Sequence, residues 1–156
     1  MKRQFVNALI TRTVVISLLV ASTQIVVSPA EAWFGKSSCQ KTKDSIIAED
    51  KVYVVLLSTA IKDAKIYQRS KSSSDATNVQ DASITVLQAE ITEYKLAVGN
   101  PKCFSASQLA TFRLNITSDE TFVTQTQAFI ADGGSDWNVS GIVKLKPESL
   151  LKIIYG

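Results

Sequence analysis

The chain has 156 residues, with 17 Lys and Arg against 14 Asp and Glu, two cysteines and no histidine. A net charge of +3 without a concentrated basic run excludes a nucleic-acid-binding face, which needs a basic patch or stripe. The missing histidine removes from this chain the usual general base, the Ser-His-Asp and Cys-His arrangements, and the commonest metal ligand.

Residues 1–13 carry Lys2, Arg3 and Arg12 and no acid, and Val14 to Val27 form a mostly apolar run. Pro29 and the small-x-small triplet Ala30-Glu31-Ala32 come next. Basic head, apolar run and small residues at a cut site are the parts of a secretory signal peptide. A membrane-spanning helix needs about 20 mostly apolar residues. This run is shorter and is interrupted by Ser17, Ser22, Thr23 and Gln24. The expectation is a signal peptide at 1–32, cleaved after Ala32, and a single helical domain at 33–156. Cleavage leaves 124 residues, enough for one buried core, and removes Lys2, Arg3, Arg12 and Glu31, so the net charge falls to +1.

Asp44 to about Arg69 reads as the first helix of that domain. Ile47, Val54 and Ile61 recur every seven residues, as do Ile46, Tyr53, Ala60 and Tyr67, which makes a wide apolar stripe. Residues 70–78 are small and polar, hence a loop, with Ser74 or Asp75 able to cap the second helix. In that helix Ile84, Leu87, Ile91, Tyr94 and Val98 alternate at spacings of three and four, and Gly99-Asn100-Pro101 ends it. A third helical region spans about 107–131. Leu109, Phe112, Ile116, Val123 and Ile130 share a face that Asp119 and Thr126 interrupt. Thr117 and Glu120 suit a capping box, so a break near Thr117 is one reading. Residues 132–137 (DGGSDW) form a loop and 138–146 are extended or irregular. Pro147 opens a short helix, PESLLKIIY. The expected fold is all-α: a small antiparallel bundle of three long helices and a short C-terminal one.

Cys39 and Cys103 precede the first helix and follow the second. Two helices joined by a short loop pack antiparallel, which brings those positions to one end of the bundle. Export delivers both thiols to an oxidising compartment, and a zinc site or a redox C-x-x-C pair fits them poorly. A Cys39–Cys103 disulfide is therefore expected. It would stabilise by about 4 kcal/mol through loop-closure entropy.

Little chemistry remains. Glu90 and Glu93 lie on one side of the second helix and read as a solvated face, with Asp119 near a helix start. Asp132 and Asp136 flank two glycines but lack the spacing of a calcium loop. Asn115-Ile-Thr117 and Asn138-Val-Ser140 match the glycosylation pattern, which arises readily by chance in a Ser/Thr-rich chain. Trp33 and Phe34 would open the mature chain, either folded over the bundle end near Cys39 or available to a partner. The functional expectation is an exported, non-enzymatic binding or structural module of the cell envelope or extracellular space, monomeric or a helical homodimer. Its partner would be a protein or envelope component. No cofactor, no nucleic acid and no membrane contact beyond the signal peptide are expected. The alternative is a small secreted hydrolase using carboxylates. A cleft holding two of Glu90, Glu93, Asp119 and Asp132 would favour it, and dispersal over the surface would count against it.

Overall fold

The computed structural model describes residues 37–134 and 136–155. The expected signal peptide, its cut site and the Trp33-Phe34 pair lie outside the described residues. Three long helices, α1 (Ser38–Ser70), α2 (Ser73–Val98) and α3 (Ala106–Ala131), are followed by the short α4 (Leu151–Tyr155). No strand occurs among the described residues, and the chain is the all-α bundle that the periodicity indicates. None of the described helices is long and apolar enough to cross a membrane.

Local chemistry sets each helix end. Ser37 caps α1 by accepting from the Gln40 amide at 3.1 Å, so the helix starts six residues before Asp44 and takes Cys39 into its first turn. The expected nine-residue loop at 70–78 shrinks to Lys71 and Ser72. Lys71 adopts left-handed backbone (φ 56°) and donates its amide to the Tyr67 carbonyl, closing α1. Ser72, rather than Ser74 or Asp75, caps α2 by accepting from the Asp75 amide at 3.1 Å. Asp75 reaches back to accept from the hydroxyls of Ser70 and Ser72, which hold its carboxyl below the usual range. A capping box forms at Ser105 and Gln108, not at Thr117.

α3 is continuous through Thr117. That hydroxyl donates to the Arg113 carbonyl at 3.0 Å, and those of Thr111, Thr121 and Thr124 likewise bond four residues back. A threonine bonded in this way stays within a helix instead of starting one. Past α3, Gly133 takes φ 75°, Gly133 N–H donates to the Ile130 carbonyl and Gly134 N–H to that of Phe129. These paired bonds are a Schellman stop, which accounts for the double glycine without a metal.

α2 packs along both α1 and α3, whereas α1 and α3 hardly meet. The segment from Trp137 to Tyr155 packs against α1 on the remaining side. Up to Leu150 it is irregular, with a single 3₁₀ turn at Ile142–Lys144, and α4 follows. The helix expected from Pro147 begins instead at Leu151. The Leu150 amide donates to the buried Asp50 carboxylate at 2.7 Å and the Leu151 amide to the Ser149 hydroxyl, so the first turn is anchored from outside.

The core follows the heptad rows. Ile46, Tyr53, Ala60 and Tyr67 are all buried on α1, and Leu87, Ile91 and Tyr94 on α2. Each buried Ile or Leu contributes about 1.5–3 kcal/mol. At the end shared by the start of α1 and the end of α2, Cys39 and Cys103 are disulfide-bonded with Cα atoms 5.3 Å apart. Phe104 packs edge-on to Phe112 there, and Phe112 stacks on Tyr94.

Candidate functional site: a cleft with carboxylates on its wall

Because α1 and α3 do not close on each other, a cleft of about 260 Å³ remains between the three long helices and the C-terminal segment. Tyr53, Leu57 and Ala60 line it from α1; Ser83, Val86, Leu87 and Glu90 from α2. Asp119, Thr121, Phe122 and Gln125 face it from α3, and Ile142, Leu145, Leu150 and Ile153 from the C-terminal segment. Apolar surface predominates on its walls, with polar and charged side chains, among them Ser83, Gln125, Lys146, Glu148 and Lys152, set around it. That is the usual make-up of a small-molecule site.

Helical spacing places the carboxylates. On α1, Asp50 falls four residues after Ile46 and three before Tyr53, within the buried row. On α2, Glu90 lies between Leu87 and Tyr94 on the core-facing side, and Glu93 comes one turn later. On α3, Asp119 stands seven residues after Phe112 and seven before Thr126, and all three are buried. The two residues that break the apolar face of α3 are therefore among its most enclosed. Asp119 is 3% exposed, and Thr126 is fully buried with an unbonded hydroxyl.

The reading of Glu90 and Glu93 as a solvated face is overturned. Glu93 is completely buried, with neither carboxyl oxygen hydrogen-bonded, and Glu90 is half-buried and accepts from the Tyr94 hydroxyl at 3.1 Å. α2 is the central helix, so packing on two sides encloses a face that would be wet in a hairpin. Burial, with Asp50, Glu90 and Glu49 adding like charge, pushes the Glu93 carboxyl up to about 9. At neutral pH it is a neutral acid. Burial also raises the phenol of Tyr53, and the negative charge of Glu90, Glu93, Asp119 and Asp50 raises it further. Tyr94 is raised in the same way, by burial and then by Glu90. Four acids from three helices thus bear on one region of the core.

The four acids weighed from the sequence separate. Glu90 and Asp119 share the cleft, Glu93 is sealed in the core beside it, and Asp132 is exposed at the end of α3. Asp50 was not singled out by sequence, and Tyr53 was read there only as a member of the apolar heptad row. The only signal for Asp50 was a charged residue inside an apolar heptad row. Among the described residues no group of three or more His, Cys, Asp or Glu is arranged to hold a metal ion. Of the two glycosylation patterns, Asn115 lies within α3 and is buried, whereas Asn138 is exposed and accepts from the Ser140 amide. Compared with known proteins, the chain matches no family model, no curated protein and no solved structure.

Proposed function

We propose that the protein is an exported, non-enzymatic binding module whose central cleft takes a small, largely apolar molecule. Export is supported by the basic, apolar and small-residue pattern of residues 1–32 and by the Cys39–Cys103 disulfide, a bond at home in oxidising compartments. The carrying observation is the cleft itself, an apolar space enclosed by three helices and the C-terminal segment. A bundle built only for stability closes such a space, because unfilled core volume is destabilising.

Thermal unfolding in the presence of a panel of small apolar alcohols and amines tests this reading. Ligands that enter the cleft raise the Tm, by the equivalent of about 2.7 kcal/mol when present at a hundredfold excess over Kd. Thr121 lines the cleft from an exposed position, so Thr121→Trp fills the mouth without disturbing the core and abolishes the shift. A panel with no effect on the wild-type protein overturns the proposal.

The placement of Glu90 and Asp119 on one cleft favours a second reading, the carboxylate-dependent hydrolase. That reading requires turnover of a glycoside or ester that is lost in Glu90→Gln. Simple occupancy of the cleft does not.

A further inference from the structure

The cleft is apolar, yet two carboxylates from adjacent helices, Glu90 on α2 and Asp119 on α3, stand on its wall. Any molecule that fills it strips water from half-buried Glu90, and it meets Asp119, which at 3% exposure the fold has already taken out of water. Removing water from a carboxylate without compensation is strongly unfavourable. A purely apolar ligand offers no compensation, a neutral hydroxyl offers one ordinary hydrogen bond and an anion adds repulsion, so a cation recovers most of what desolvation takes away. Lys146, Glu148 and Lys152 also line the cleft, but as exposed side chains of the C-terminal segment, where water and salt screen them. The Glu90 carboxylate is already oriented by the Tyr94 hydroxyl, and Asp119 is held on the buried row of α3. The acidic wall is therefore preorganised. The negative charge it carries is felt across the site, since Glu90 and Asp119 both raise the phenols of Tyr53 and Tyr94.

We infer that the ligand of the cleft is a small amphiphile with one protonated amine, its ammonium seated between Glu90 and Asp119 and its hydrocarbon part against Leu57, Val86, Leu87 and Phe122. This inference rests on the binding reading above and specifies the ligand's charge.

Three probes of one chain length separate the two: octylamine, octanol and octanoate, titrated calorimetrically into the disulfide-intact mature protein. The amine binds about tenfold or more tighter than the alcohol, the usual worth of a charge-assisted hydrogen bond, and the carboxylate binds weakest. Glu90→Gln and Asp119→Asn each bring the amine-to-alcohol ratio towards one. Asp119 is buried and its variant can lose structure, so the half-buried Glu90 carries the test independently. Equal affinity for amine and alcohol overturns the inference and leaves an apolar site standing. An amine preference that survives both substitutions overturns the proposed seat. Failure of all three probes to bind removes the binding reading itself.

Discussion

Glu93 shows at the residue scale what a packed helix does to a carboxyl. It is 0% exposed, both oxygens lack a hydrogen bond, and its carboxyl sits near 9 instead of 4.5. In the unfolded chain this group ionises in the ordinary range, while in the folded chain it keeps its proton. The folded state therefore binds more protons between those limits, and stability falls as pH rises from about 4.5 to about 9. It levels off above that window. In Glu93→Gln, which keeps the shape and cannot ionise, the slope across the window flattens, so the variant gains on the wild type as pH rises. Tm measured against pH for both proteins checks this, and parallel curves would show that the Glu93 carboxyl ionises in the folded core as it does in the unfolded chain. Sequence could not supply this residue's role. Glu93 differs from a surface glutamate only in that α2 is flanked on two sides, and its own heptad says nothing of how many neighbours its helix has.

At the scale of elements, the Ile46-Tyr53-Ala60-Tyr67 row became core while Ile47 and Val54 beside it stayed half-buried, and Asp119, which broke the apolar face of α3, came to line the cleft. Helix existence was legible because Ile46-Tyr53-Ala60-Tyr67 and Leu87-Ile91-Tyr94 obey a period that only a helix satisfies. Helix ends were less so. Ser37, Ser72 and Ser105 all compete with neighbouring serines that could cap as well. α4 was misplaced for a different reason, namely that its start is set by Asp50, a residue 100 positions away. This tether has a measurable weight. Asp50→Ala leaves the Leu150 amide buried without an acceptor, and that loss is about 1–3 kcal/mol. Asp50→Asn retains an acceptor oxygen for the Leu150 amide, so it is milder than the alanine variant. Urea unfolding gives the two losses, and hydrogen exchange at the Leu150 amide accelerates in Asp50→Ala alone. Equal effects of both variants would mean that the charge, not the hydrogen bond, holds the segment.

Over the whole molecule, the disulfide and the cleft divide the structure between them. The bridge closes a ring containing α1 and α2, whereas α3 and the C-terminal segment lie outside it. The α1–α2 hairpin with its staple was readable because helix periodicity, loop position and cysteine placement agree at short range. The cleft was not, because it exists only where α3 and the C-terminal segment leave α1 and α2 uncovered, which no local pattern encodes. The same division makes the contribution of the bridge testable. In the unfolded chain it restricts a loop of 64 residues, which corresponds to about 4 kcal/mol in the chain-entropy account. Replacing both cysteines by serine therefore lowers stability by about that amount, seen as a lower urea midpoint. Native contacts outside the ring are untouched, so the double variant keeps its helical circular dichroism and its cleft. Trp137, which sits on the C-terminal segment against Phe129, reports that region by fluorescence in a Trp33→Phe background. If the molecule unfolds as one unit, dichroism and Trp137 fluorescence shift together to the same lower midpoint. If only the dichroism shifts, the stapled hairpin and the cleft-forming half have separate stabilities, and ligand binding would then stabilise the second without the first.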